Sequence, residues 1–188
     1  RTTSSAASDV YKRQGSGFVG QYLINDLCKE DDHKVVSVSR AGKINKVSIF
    51  KKKYSNLENI DGVDITNYDS VDNLIKKHKP DIVFNLAGFV SFKDKDRKTL
   101  NKINKEGALN IFRVCEDNNI KKIIHLSSTA ALGYSVRKDD LISERTKFNW
   151  SKRDMKLCPY SFSKFSANKI ILDSKKIESI VVYPSLIL

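Results

Sequence analysis

Several things are scarce in this sequence, and each shortage excludes something. No stretch approaches the roughly 18 consecutive apolar residues of a membrane span, so no membrane-crossing helix is expected and the expected compartment is the cytoplasm. Cysteine occurs only as Cys28, Cys115 and Cys158, an odd and scattered set. That argues against a disulfide framework and against a zinc site, and the thiols read as reduced and at least half-buried. Histidine is equally sparse: His33, His78 and His125 resemble neither a triad nor a metal set. His125 lies inside an apolar run and reads as a packed core histidine. Asp94, Asp96, Asp139 and Asp140 read as solvated acids, so no metal site is expected. There is no internal repeat and no low-complexity linker. A basic stripe interleaved with aromatics is also missing, although the formal net charge is +12. The lysines are dispersed, as in Lys76-Lys77-His78-Lys79 and Lys121-Lys122. The charge therefore reads as a solvated lysine-rich surface, and neither nucleic acid nor a membrane is expected as a partner.

What is present suits one soluble globular domain: 188 residues and 40% hydrophobic content can build a sizeable core, but hardly two. Residues 1–14 stand apart, because they lack any hydrophobic period. Ser4 to Gln14 (SSAASDVYKRQ) matches, letter for letter, one reading frame of a transposon adapter used in sequencing-library preparation. The alternative is a genuine disordered N-terminus. Either way residues 1–14 are expected outside the fold, and residues 15–188 are expected to form one partial domain.

From Gly15 onward, strand and helix signals alternate. Val19, Tyr22, Leu23 and Leu27 have helical spacing, and Lys34 to Ser39 is a short β-branched strand. A strand is expected to lead into Val63-Asp64-Ile65, followed by a helix over Val71 to Lys77 and a strand over Asp81 to Leu86. Leu100, Ile103, Ala108, Ile111, Phe112 and Cys115 form one face of a long helix ending near Asn118-Asn119. Lys122 to Ser127 reads as a buried strand. A polar, strand-poor connection then leads to a helix that Pro159 can begin, and Ile180 to Tyr183 make the last strand. The alternation predicts an α/β fold with a parallel sheet covered on both faces.

Two motifs carry chemistry. Gly15-Ser16-Gly17-Phe18-Val19-Gly20 opens a helix, where glycines let the backbone approach a pyrophosphate at the helix N-terminus; such runs also serve as plain turns. Tyr160 and Lys164 are four apart and share a helix face. An ammonium there can favour the phenolate and lower the phenol's pKa, making the tyrosine a proton donor near neutral pH. The pair follows Ser127-Ser128 at a strand end, where a hydroxyl could hold a substrate oxygen. A tyrosine and lysine at this spacing also arise on ordinary surface helices, and paired serines also cap turns.

Gly17-Phe18-Val19-Gly20, Asp64-Ile65, Asn85-Leu86-Ala87-Gly88, Asn104 with Gly107, Ser127-Ser128 and Tyr160/Lys164 occur in the order found in extended short-chain dehydrogenases/reductases. From Gly15 to Leu188 the chain resembles this group, the NAD-dependent epimerase/dehydratase family. The resemblance implies a Rossmann-like doubly wound parallel sheet, with the first strand and the C-terminal substrate region missing. It implies that Gly15, Gly17, Phe18, Val19 and Gly20 form the phosphate turn, although the family's glycine three places before Gly17 falls on Gln14. Asp64 and Ile65 would lie beside the adenine, and Ala87 and Gly88 beneath the nicotinamide ribose. Asn104 would support the active-site backbone or a proton relay. Ser128 would bind the substrate oxygen, with Ser127 packing below it. Tyr160 would be the acid/base, and Lys164 would bind the ribose while depressing the tyrosine's pKa. The family often forms homodimers through helices like those at 94–118 and 159–174.

The end of the second strand carries Ser39-Arg40, with Lys43 close behind and no acid. A carboxylate there commonly binds the ribose 2′-hydroxyl of NAD, whereas arginine accommodates the 2′-phosphate of NADP. NADP is therefore expected ahead of NAD, the alternative being a solvated Arg40. With Tyr183-Pro184-Ser185 this resembles the dihydroflavonol-reductase-like branch. The first expectation is an NADP-dependent oxidoreductase acting on a carbonyl or alcohol. The alternative is an NAD-dependent nucleotide-sugar epimerase or dehydratase, and the absence of an acid in Ser128-Thr129-Ala130 weakens dehydration. A non-catalytic nucleotide-binding scaffold is a further alternative. The chain by itself is expected to be marginally stable and inactive.

Overall fold

Alternating burial decides which way each strand faces. The computed structural model describes residues 2–6, 18–30, 32–40, 54–135 and 141–185, with residues 2–6 and 18 as backbone only. Six strands form one sheet: β1 Thr2–Ala6, β2 Lys34–Val38, β3 Leu57–Ile60, β4 Ile82–Asn85, β5 Lys122–Leu126 and β6 Glu178–Val182. All neighbours run parallel in the order β3-β2-β1-β4-β5-β6. This is the doubly wound arrangement, and its order reverses between β1 and β4. In such sheets ligands bind beyond the C-terminal strand ends at the reversal.

Helices α1 Phe18–Leu27, α2 Tyr68–His78, α3 Arg97–Leu100, α4 Ala108–Asp117, α5 Lys152–Leu157 and α6 Pro159–Asp173 surround the sheet. On one face Val36, Val38, Val83 and Ile123 join Val71 and Ile75 of α2, Ile111 and Phe112 of α4, and Ala167 and Ile171 of α6 in the main core. Each of the valine, isoleucine and phenylalanine side chains among them contributes about 1.5–3 kcal/mol on full burial. The opposite face has a small cluster of Ile24, Cys28 and Val35, flanked by Leu27, Tyr54 and Leu57.

Local sequence explains the helix ends. Asn67 caps α2, accepting from the Ser70 N–H at 3.0 Å, and Lys76 and Lys77 complement the dipole in its last turn. Between α3 and α4, residues Asn101–Gly107 wind as a π-helix that turns Ile103, Asn104 and Gly107 inward. Gly107 is needed there, since a Cβ would lie 2.7 Å from Ile65 Cδ1. The strand-poor connection holds α5, which the sequence did not signal; Ser151 and Asp154 close a reciprocal capping box at its start.

Two expectations are corrected. The first strand, expected to be missing, is supplied by Thr2–Ala6, with Ser4 opposite both Val36 and Val83. These residues therefore do not lie outside the fold. Parallel ladders are made by backbone N–H and C=O groups, which any residue but proline supplies in full. The third strand ends at Ile60, before Val63–Ile65, because the Val63 N–H donates to the Ser39 carbonyl at 3.1 Å and turns the chain. No helix among the described residues is long and apolar enough to cross a membrane.

Candidate active site

The C-terminal ends of β4 and β5 and the first half of α6 bring the expected catalytic side chains together. Ser128 follows β5 in extended conformation and caps the 3-10 turn Thr129–Leu132, its Oγ accepting from the Ala130 N–H at 3.2 Å. Tyr160, in the first turn of α6, interacts through its hydroxyl with the Ser128 side chain. Burial pushes the phenol's pKa up, and the Ser128 hydrogen bond partly opposes this. The expected lowering by Lys164 is therefore absent. Lys164 instead donates from Nζ to the Leu126 carbonyl at 3.0 Å, and burial pushes its pKa down to about 8.

The buried stripe of α6 is polar for a reason. Ser163, Lys164, Ala167, Asn168 and Ile171 point inward, and three of them serve the site. Besides the Lys164 bond, Asn168 Nδ2 donates to Ser127 Oγ at 2.7 Å, holding that serine below Ser128. Ser163 Oγ donates to the Tyr160 carbonyl at 2.7 Å and accepts from Asn104 Nδ2 at 3.0 Å.

Asn104 acts on backbone. Its Oδ1 accepts from the Phe89 N–H at 2.7 Å and its Nδ2 donates to the Phe89 carbonyl at 2.9 Å. Of the two roles implied for it, this geometry is that of backbone support. The clamped segment includes Ala87 and Gly88, and a Cβ at Gly88 would stand 3.0 Å from Lys164 Nζ, a tight approach that the ammonium could relieve only by shifting a few tenths of an ångström.

The other cofactor-binding expectations are dispersed. Gly15, Gly17 and Lys43 lie outside the described residues; Phe18 contributes backbone, while Val19 is half-buried and Gly20 buried in α1. Arg40 is exposed just past β2. Its charge reaches Asp64, whose Oδ1 accepts from the Thr66 N–H at 2.9 Å and from Thr66 Oγ1 at 2.8 Å. Burial acts to raise the Asp64 pKa, but the Thr66 bonds and the charges of Arg40 and Lys102 outweigh it and hold the carboxyl below its usual range. Ile65 departs from expectation: its side chain is buried in the core against Gly107, leaving Asp64 as the side chain at that edge. The tight backbone at Gly88, the buried ammonium behind it and the Arg40–Asp64 edge fit a nicotinamide dinucleotide laid across the strand ends.

Three participants carry no site role in the sequence reading, where Asn85 stands only as part of a motif, His125 as a packed core histidine and Phe92 not at all. Asn85 and His125 hold each other beneath the site, with Asn85 Nδ2 and His125 Nδ1 3.0 Å apart. The signal was polar residues inside apolar strands. Phe92, 82% exposed, stands edge-on to the Tyr160 ring with centroids 5.9 Å apart. Nothing in its spacing marked it, because it belongs to a loop.

Comparison with known proteins places these features in a family. The model of the NAD dependent epimerase/dehydratase family matches residues 15–185. The dTDP-D-glucose 4,6-dehydratase of Dictyostelium discoideum is 26% identical over 169 residues, covering 84% of this chain and 38% of that protein. The GDP-6-deoxy-D-talose 4-dehydrogenase of Aggregatibacter actinomycetemcomitans is 26% identical over 130 residues, covering 69% and 38%. The chain thus spans less than half the length of these relatives. The Thermus thermophilus UDP-glucose 4-epimerase, solved as a complex with NAD, shares the fold with a TM-score of 0.72 at 17% identity, covering 97% of this chain and 54% of that one. With the match running from the glycine turn past the last strand, the chain belongs to the NAD dependent epimerase/dehydratase family.

Proposed function

We propose that the chain is the cofactor-binding part of an enzyme that acts on a nucleotide sugar by oxidising, and in an epimerase re-reducing, one carbon. The observation that carries this is the Ser128–Tyr160 hydroxyl pair set one helical turn from the buried Lys164. When bound, NAD(P) supplies a hydride acceptor and donor at nicotinamide C4. Ala87, Gly88 and Lys164 would hold its ribose, Asp64 its adenine end, and Gly15, Gly17 and Gly20 its phosphates. Ser128 Oγ would hold the substrate oxygen while Tyr160 Oη, in its phenolate form, would take the proton on oxidation and, as the phenol, return it on reduction. Ser128-Thr129-Ala130 carries no acid, which favours epimerisation or dehydrogenation over dehydration. The relatives' nucleotide-sugar activities put this reading ahead of the carbonyl reductase expected from the sequence.

The second reading, an NADP-dependent reductase, keeps one specific support: Arg40 at the end of β2 with no acid in that strand end. Fluorescence titration of the full-length protein with NADH and NADPH separates the two. Tighter NADH binding together with turnover of UDP- or dTDP-glucose supports the first. Tighter NADPH binding that is lost in Arg40→Ala supports the second. Homodimerisation through α4 and α6 is part of the same proposal and is read by sedimentation.

A further inference from the structure

His125 looks like an ordinary core residue, being fully buried in β5 and paired in register with Asn85 of β4. The hydrogen bonds around it give it a role. The Ala87 N–H donates to the Asn85 side chain at 3.1 Å. An N–H needs an acceptor, so the atom it meets is Oδ1, and this fixes the orientation of the amide. Asn85 Nδ2, a donor, is then the atom 3.0 Å from His125 Nδ1. Nδ1 must therefore be the unprotonated acceptor. Burial and the Lys164 charge push the imidazole's pKa down to about 3, so the ring is neutral and carries its proton on Nε2. That buried N–H has no hydrogen-bond partner among the described residues. A buried polar atom left without a partner costs on the order of 1–3 kcal/mol. A smaller apolar side chain in the same place would avoid that cost, so packing alone does not account for a histidine here.

We propose that His125 is a positioning residue: through Asn85 it fixes the Ala87 N–H, and with the Asn104 clamp on Phe89 it sets the backbone on both sides of Gly88. Two buried amides thus hold the segment from opposite ends, Asn85 from within the sheet and Asn104 from the π-helix. The Cβ clearance at Gly88 shows how little slack Lys164 has there. If the segment slips, Gly88 closes on the ammonium.

The test compares His125→Asn, whose Oδ1 can stand in for Nδ1 as acceptor, with His125→Leu, which fills similar space without one. Amide hydrogen exchange at Ala87 is expected to be about tenfold faster in H125L than in H125N, a difference that equal packing loss does not produce. Equal exchange in the two variants overturns the proposal. Should H125L fail to fold, the ¹⁵N shifts of the His125 imidazole in the unaltered protein decide: an unprotonated Nδ1 with a protonated Nε2 supports the assignment, and a proton on Nδ1 overturns it. A cofactor titration adds an arm that rests on the proposed function. NADH affinity is expected to fall in H125L and largely return in H125N. Failure of the unaltered full-length protein to bind NADH or NADPH would sink the functional reading, leaving exchange to judge the positioning role.

Discussion

The two ends of the sheet are organised differently. The large core takes side chains from β2, β4 and β5 alike, and beside β4 and β5 the polar side chains turned inward near the site each hold a partner: Asn85 holds Ala87, Asn104 holds Phe89, Asn168 holds Ser127 and Lys164 holds Leu126. From β3 to β1 the opposite face has the small Ile24–Cys28–Val35 cluster, and the central strand is the polar Thr2–Ala6, joined through its backbone. The half that would perform chemistry has side-chain bonds added to its ladders, and the first strand joins both neighbours through backbone ladders. A catalytic geometry needs placement to fractions of an ångström, while a sheet slot needs only hydrogen-bonding groups in register.

The sharpest way to break the comparison is at Lys164. Lys164→Met is expected to lower turnover of the full-length enzyme by on the order of 100-fold or more, through lost positioning. The same variant should melt at higher temperature, because a buried ammonium is removed. Steady-state assays with a thermal melt check both, and a fall in melting temperature would count against the burial argument.

Next in size is Asn104→Ala. It removes the bonds that Asn104 makes to the Phe89 N–H and carbonyl and to the Ser163 hydroxyl, and is expected to destabilise by about 3 kcal/mol. Urea unfolding measures it. Replacement of Asn56, which bridges the carbonyls of Glu30 and His33 beside the smaller cluster from a partly exposed site, should cost less, about 1 kcal/mol.

Acidity sharpens the contrast further. Lys164 has its folded pKa depressed to about 8, so its own contribution to stability rises with pH from about pH 8 to pH 10, against the buried thiols of Cys115, pushed up to about 12, and Cys28, which pull the other way from about pH 8.5. K164M should flatten the rise. The phenols of Tyr160 and Tyr68 are shifted up, and their opposite contribution begins only above about pH 10. On the acid side His125, depressed to about 3, makes stability fall as pH drops below about 6.5. His78 is also lowered, chiefly by burial, and adds to the same slope, so H125N should remove only part of it. Thermal melts across pH resolve both limbs.

The smallest expected difference is local. Amides of 123–126 should exchange more slowly than those of 35–38, although residues 35–38 are all buried, because β2 pairs with the polar first strand whereas β5 pairs with β4 and β6. Mass-spectrometric exchange at peptide resolution suffices, and equal protection would erase the contrast.

The sequence made the β4–β6 half of the sheet readable, because continuous apolar strands and a long amphipathic helix leave strong periodic signals. Ser128, Tyr160, Lys164 and Asn104 were legible as an ordered set, and the structure brings them into one place. Thr2–Ala6 was not legible, since a strand held by its backbone on both sides need not show hydrophobic alternation. Ile65 was read as lining the cofactor, yet its side chain fills the space opened by Gly107 in the π-helix, a winding that no spacing rule would foresee. The tyrosine–lysine pair was legible as a pair, but its electrostatics were not. Spacing of four predicts a shared helix face, and only the fold shows that the ammonium bonds the Leu126 carbonyl and that burial raises the phenol's pKa.

The most direct test of the account is turnover of a UDP- or dTDP-sugar by the full-length enzyme with NAD, comparing the unaltered protein with Tyr160→Phe. The phenol's proton-transfer role predicts a fall of about 100- to 10,000-fold with NADH binding retained. Turnover in Y160F equal to that of the unaltered enzyme would contradict it.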